Sequence, residues 1–444
     1  MAKRPNILLM ISHDLGNHIG PYGHALDRSP NLMALAREST RLDAHFVSSP
    51  GCSQSRSSLV TGRYPHANGQ FGLATWGWRL HDDEILMPAL LRSHGYHTRL
   101  FGIWHLHEWT LGGFSKVSED VSTRDASPEG FAEIAGSRAA DWIRDRGREE
   151  EPFYLHVGFW EVHRPFCGTA EEAEEAARSV GDEGPVPSYL PDNEPTRREI
   201  AELHHSVGRV DQAVGSILES LQETGLAENT LVLFTADHGL PFPRAKGTLY
   251  DPGIKVACMA RWPERIPAGV ARSELSSNVD LMPTLLETAG IECPRRVQGR
   301  SLWPLLQGGP VRPDGTIFAE KTYHEHYDPM RCLRTARYKY IRNFEDRPKL
   351  VLPTDLYLSP TRVSMADDEG IWGRRAREEL YDLMADPEER NNLIEDEGLA
   401  DEAGALRQDL QRWMEATGDP ILQGPILRGP EQVKGLGGSK ITQS

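Results

Sequence analysis

The sequence is short of several features that would place it outside ordinary globular proteins. It has five cysteines, Cys52, Cys167, Cys258, Cys293 and Cys332, odd in number and scattered, with no Cys-x-x-Cys pair. That spacing argues against a disulfide framework or a cysteine-built structural zinc site. No apolar run reaches the length of a membrane span, and Ile7–Ile11, just behind the N-terminus, is too short for a signal-peptide core. These absences read as a cytoplasmic protein with no membrane partner. No basic run stands out, and 49 Lys and Arg against 65 Asp and Glu give a formal net charge of −16. Long-range attraction to nucleic acid is thus argued against, and an anionic substrate would need a local basic pocket. Disorder is argued against as well, because 39% of residues are hydrophobic. A chain of 444 residues can bury a large core and carry a second domain.

What the chain does have is concentrated in Pro50-Gly51-Cys52-Ser53-Gln54-Ser55-Arg56-Ser57-Ser58-Leu59-Val60-Thr61-Gly62-Arg63. A thiol, several hydroxyls and two guanidinium groups fall within a few residues. Gly51 before and Ser-Ser-Leu-Val after predict a tight turn running into a helix, with Cys52 at its N-terminus. Backbone N–H groups there suit an anion, and Arg56 adds donors matched to a tetrahedral oxyanion. The plainer reading, a loop with a buried free cysteine, stays open on this stretch alone.

Before and after it, buried-strand patterns end in polar groups. Asn6–Ile11 is a continuous apolar run that ends at Ser12-His13-Asp14, and Thr230–Thr235 ends at Asp237-His238-Gly239. Tyr96–Phe101 precedes Ile103-Trp104-His105, and Pro152–Phe159 precedes His163-Arg164-Pro165-Phe166. Open α/β sheets build their sites at such strand ends. Ser29 and Pro30 predict a helix start, with Ser29 as N-cap. Arg197–Leu221 has helical apolar spacing closed by Gly225. Thr169–Pro195, acidic with Pro and Gly, reads as a surface insertion or lid. From about Asp314, Phe318–Glu320 and Tyr338–Ile341 predict an antiparallel sheet, Glu402–Thr417 a helix packed on it, and residues beyond Gly429 a loose tail.

Cys52-x-x-Ser55-Arg56 with Leu59-x-Thr61-Gly62-Arg63 resembles the signature of the type I sulfatases, in the alkaline phosphatase superfamily. The resemblance extends through Gly102-Ile103-Trp104-His105-Leu106, Asp237-His238-Gly239, Lys246 and Glu379-Leu380-Tyr381-Asp382, to about Leu393. Tyr327–Arg331 and His66-x-Asn68-Gly69 look most like the heparan N-sulfatase (sulfamidase) branch. The chain departs from the family pattern at three places: Gln54 replaces the motif's proline, Ile103 a lysine, and His13 an aspartate.

The resemblance implies an alkaline phosphatase-like α/β fold: a large, mostly parallel sheet flanked by helices over residues 1–313, and a smaller α+β domain with an antiparallel sheet over 314–444. It implies a hydrolase of sulfate esters or sulfamates, whose nucleophile is Cys52, as formylglycine if it is converted and as a thiolate if Gln54 blocks conversion. Arg56, His105, His163 and Lys246 would complete the catalytic set. His13, Asp14, Asp237 and His238 would hold one divalent cation: calcium by resemblance, manganese or zinc by the two imidazoles. His324, His326 and Arg331 would bind substrate, a small sulfated anion such as a sugar. A homo-oligomer is allowed. Two other readings stay open: a phosphonate monoester hydrolase or phosphodiesterase on the same fold, favoured by the Asp237-His238 pair and Ile103, and a non-catalytic anion-binding relative.

Overall fold

A computed structural model describes residues 4–24, 28–117, 131–146, 149–181, 184–309 and 315–434. Fourteen strands are described, in chain order: β1 Asn6–Ser12, β2 Thr40–Leu42, β3 His45–Phe46, β4 His97–Gly102, β5 Lys116–Val117, β6 Phe153–Phe159, β7 Thr230–Ala236, β8 Cys258–Arg261, β9 Val270–Arg272, β10 Ser276–Ser277, β11 Ile317–Tyr323, β12 Tyr327–Arg334, β13 Tyr338–Asn343 and β14 Glu378–Asp382.

Eight of them form one sheet in the order β5-β4-β6-β1-β7-β8-β2-β9. Strand β8 runs antiparallel to both β7 and β2, and every other described pairing in this sheet is parallel. The central strands β1, β6 and β7 are buried along their whole length, so their sequences are apolar on both faces rather than alternating. One face carries the helices Phe131–Arg146 and Glu194–Glu223; the other carries Cys52–Thr61, Met87–Ser93 and Leu281–Thr288. At the C-terminal end of β6 the chains approach too closely for a side chain: a Cβ on Gly158 would lie 2.0 Å from the Ile103 carbonyl oxygen. That contact brings the end of β4 against β6.

The second sheet, β11-β12-β13-β14, is antiparallel throughout. Helix Ala400–Thr417 packs Leu406, Leu410, Trp413 and Met414 onto its Leu333, Tyr340 and Leu380. The boundary expected at 313/314 falls outside the described residues, as do 435–444 of the expected tail; Pro430–Lys434 of that tail is helical. Among the described residues no helix is long and apolar enough to cross a membrane.

Two local expectations are corrected. Ser29 does not cap the helix Pro30–Arg37; its hydroxyl accepts from Gly20 N instead. The orphan donors at that terminus are met from a distance, by Asp211 of the long helix, which accepts from Asn31 N and Leu32 N at 3.1 and 2.7 Å. The acidic insertion is not all loop: Ala170–Ala177 is helical, started by a capping box between Thr169 and Glu172.

Candidate active site

Strand β1 lies between β6 and β7, so the polar groups at its C-terminal end meet those of both neighbours. Asp14 N donates to Asp237 Oδ1 at 2.9 Å, which joins the ends of β1 and β7. His13 Nδ1 lies 2.6 Å from Asp14 Oδ1 and 3.6 Å from Asp237 Oδ2. His238 Nε2 lies 2.9 Å from Asp14 Oδ1. Asp14 and His105 hold left-handed backbone angles, φ 53° and 60°, which cost a non-glycine residue energy and gather at functional sites.

Cys52 enters from the opposite side as the first residue of helix Cys52–Thr61, with Gly51 extended as N-cap and Gly62 closing it at φ 63°. Its Sγ lies 3.1 Å from His238 Nε2 and 4.0 Å from Asp14 Oδ1. The rings of His105 and His324 approach the same sulfur, and His105 Nδ1 and His324 Nε2 are buried without protein hydrogen-bond partners. The hydroxyls that drew notice in the sequence hold the helix in place: Ser53 accepts from Ala74 N, Ser55 from Asn278, and Ser57 donates to Gln54 O. Gln54, where the motif has proline, donates to the Tyr323 carbonyl at 2.6 Å and so ties the helix to the end of β11 beside His324.

Two buried cations brace the cluster. Arg56, one helical turn past Cys52, donates from Nε to Asp237 Oδ2 at 2.9 Å. Lys246 Nζ lies between Asp14 Oδ2 at 2.6 Å and Asp355 Oδ2 at 2.9 Å. His163 donates from Nδ1 to its neighbour's carbonyl, and its Nε2 faces Asp355 and Asp14 at 3.9 and 4.0 Å. Ile103, in the place of a family lysine, packs in a small apolar cluster with Phe131 and Trp160.

Burial would raise the acids and lower the bases here, but the neighbours overturn it in most cases. Against that desolvation, Lys246, His13 and His238 hold Asp14 well below the usual carboxylate range. Burial pushes the Cys52 thiol up, and His13, His238 and Lys246 outweigh it, so its pKa falls well below the usual thiol value. Burial likewise opposes charge on His324, yet Glu325 and Cys52 raise it to about 9. Burial prevails at His163, where with help from Lys246 it pushes the pKa down to about 4, and it lowers His105 as well.

His13, Asp14, Cys52, Asp237 and His238 each offer a ligand atom, and those atoms lie within 4.8 Å of one another. His13 Nε2 is buried with no protein hydrogen-bond partner. Two carboxylates and two imidazoles, one of them with an orphaned ring nitrogen, are a donor set that fits a divalent cation.

Of the residues expected at the site, His13, Asp14, Cys52, Arg56, His105, His163, Asp237, His238, Lys246 and His324 are brought together. His326 is exposed at the rim, its Nε2 3.3 Å from the Tyr357 hydroxyl. Arg331 is corrected: it is fully buried, doubly bonded to Asp419 at 2.5 and 3.0 Å, with Nη1 on the Lys321 and Met330 carbonyls. No face of it is left for a substrate. Asp355 and Glu325 were not found from sequence. Neither sits in a motif, and the only signal for Asp355 was that a buried lysine such as Lys246 demands more than one acceptor.

A sulfatase family model matches residues 5–291, and a model described as N-sulphoglucosamine sulphohydrolase, C-terminal, matches residues 238–366. The chain belongs to the sulfatase family, enzymes that hydrolyse sulfate esters or sulfamates. Human N-sulphoglucosamine sulphohydrolase is 30% identical to it, over 96% of this chain and 92% of that one. An ulvan-active sulfatase of Formosa agariphila is 27% identical, over 94% of this chain and 76% of that one. In fold the chain is similar to yidJ of Bacteroides fragilis, with TM-score 0.74 and 22% identity over 96% of this chain and 99% of that one. It is also similar to a protein solved with its substrate D-glucosamine-2-N,6-O-disulfate, with TM-score 0.73 and 19% identity over 95% of this chain and 99% of that one.

Proposed function

We propose that the chain is a metal-dependent hydrolase of sulfate esters or sulfamates of sugars, with position 52 as its nucleophile. The observation that carries this is the placement of Cys52 Sγ at a helix N-terminus, 3.1 Å from His238 Nε2, against a buried set of metal donors and Lys246. Asp14, Asp237, His13 and His238 would hold the cation, which when bound supplies charge neutralisation for the sulfate oxygens and the nucleophile.

The chain's own residues do the rest. In the family's chemistry Cys52 becomes formylglycine, whose hydrate attacks the sulfur while the bond to the leaving oxygen or nitrogen breaks. Lys246, held by two carboxylates, faces the charge that builds in that step. Against burial, the adjacent Glu325 raises the pKa of His324, which can hold a proton to give the leaving group. His163, pushed down to about 4, is uncharged at neutral pH and can accept one from the hydrated nucleophile. His324, expected from sequence to bind substrate, thus takes the proton-donor role in this reading.

The test compares turnover of an aryl sulfate, N-sulfoglucosamine and an aryl phosphodiester, with peptide mapping over Cys52. Sulfate or sulfamate cleavage, lost together with bound metal in Asp237→Ala, is the expected result. Faster phosphodiester cleavage would replace it with the phosphodiesterase reading that the Asp237-His238 pair also supports. No turnover of any of the three with metal supplied would leave a binding protein.

A further inference from the structure

The protein carries a net charge of −16, yet the lining of one surface groove is basic. It lies between the outer face of helix Ala400–Thr417 and the edge of the second sheet, with a volume of about 740 Å³. Four arginines line it, Arg342, Arg377, Arg407 and Arg412, against one acid, Glu378. Arg407 takes up that glutamate with two hydrogen bonds at 2.7 and 3.0 Å, and Arg412 pairs with Asp409 just outside the lining. The hydrogen bonds of the other two go to neutral acceptors, Arg342 to the Gln411 carboxamide and Arg377 to the Phe344 carbonyl. Arg342 also lies over the half-buried Phe344 ring, 4.9 Å from its centroid. Two strand spacings, on the order of 10 Å, separate β13 from β11, the strand that ends beside the candidate active site.

We propose that this groove is a second binding surface for a sulfated glycan chain, taking sulfate-bearing sugar units away from the one that reacts. The inference rests on the sulfated-sugar reading above and extends it from a small substrate to a polymer. Guanidinium groups match sulfate oxygens bidentately. The exposed Gln408 offers a carboxamide, a partner sugar hydroxyls take. A local excess of positive charge on an acidic protein is also what a polyanion needs in order to approach in one place only.

The test measures binding of a heparin octasaccharide to the full-length wild type and to the triple variant Arg342→Gln/Arg377→Gln/Arg412→Gln, at low and at physiological salt. None of these three side chains is in the candidate active site, so turnover of an aryl sulfate serves as the control for folding. The expected result is about tenfold weaker octasaccharide binding with a shallower salt dependence, and unchanged aryl sulfate turnover. The single reversal Arg377→Glu, at an exposed position, should weaken binding in the same direction. Equal octasaccharide affinity in wild type and variants overturns the proposal. An oligonucleotide of equal charge that binds as tightly, and loses as much in the variant, overturns the assignment to sulfated glycan. If wild type lacks sulfatase activity but shows the arginine-dependent octasaccharide binding, the catalytic reading fails while the groove stands.

Discussion

Arg331 separates a structural from a substrate-binding reading of the second sheet, and its replacement by methionine tests which is right. Both partners of the Arg331–Asp419 pair are fully buried, joined by two hydrogen bonds, with Glu320 Oε2 a further 3.4 Å from Arg331 Nε. Arg331→Met would leave the Asp419 carboxylate in the interior without its counter-charge. Breaking a buried pair from one side costs about 3–5 kcal/mol, and the truncation exposes no compensating surface. Equilibrium urea unfolding, followed by tryptophan fluorescence, should read that loss, while KM per folded molecule stays unchanged. The pH dependence has a definite sign. Burial pushes Asp419 up, but Arg331 pulls its pKa below the ordinary carboxylate value. A depressed pKa contributes stability that is present above the unfolded value, about 4, and is lost as pH falls through the folded one. The gap between wild type and Arg331→Met should therefore be full at pH 7 and shrink below about pH 4. A variant with wild-type stability and a KM raised tenfold would refute the buried-pair account and return Arg331 to the substrate.

Three further changes probe the candidate site and its supports. Asp355→Asn removes one of the two carboxylates on Lys246; steady-state kinetics should show kcat roughly ten- to a hundredfold lower with bound metal unchanged, and wild-type kcat would take Asp355 out of the machinery. Asp211→Ala leaves Asn31 N and Leu32 N without their acceptor, and chemical denaturation should show a loss of about 1–2 kcal/mol; a loss below a few tenths would mean other groups satisfy that terminus. Protein stripped of metal should regain turnover, and stoichiometric metal by mass spectrometry, with manganese or zinc ahead of calcium; recovery with calcium alone would contradict this reading of the mixed nitrogen and oxygen donor set.

The parts of the fold that could be read from sequence are those with local causes. Asn6–Ile11 and Thr230–Thr235 are apolar without alternation because both faces of β1 and β7 are covered, and a run of that kind has few other solutions. The turn into helix Cys52–Thr61 follows from Gly51, and its end from Gly62. Supports that reach across the chain were not legible. Asp211 caps a helix that begins 181 residues earlier in sequence, at Pro30, and nothing local to Ser29 signals that the cap comes from elsewhere. Asp355 reaches Lys246 from a short turn, Thr354–Leu356, with no motif around it. Arg331 misled for the opposite reason: its position in a family-like segment suggested a ligand, and only its two bonds to Asp419, in the segment after the last long helix, reveal an internal brace.

The departure His13 and the motif residue His238 are best understood together, through the hydrogen bonds that orient them. The Gly239 carbonyl lies 3.0 Å from His238 Nδ1 and can only accept, so Nδ1 carries the proton and Nε2 is the free ligand atom, aimed at Asp14 and Cys52. His13 is fixed through Nδ1 by Asp14, which leaves its Nε2 buried and unpartnered. His238 is thus oriented by a backbone carbonyl outside the donor set, the arrangement that sets tautomer and ligand basicity in metal sites, while His13 is held by Asp14 within it. Asp14 and Asp237 raise the pKa of His238 well above its ordinary value, against the pull of burial. A cation entering the cluster would take over the role of that proton, so its binding should release protons and weaken as pH falls. An all-oxygen site would suit calcium, whose hard charge gains little from imidazole. Two imidazoles beside two carboxylates would suit a borderline metal instead, and His238, 3.1 Å from Cys52 Sγ, would hold it close to position 52.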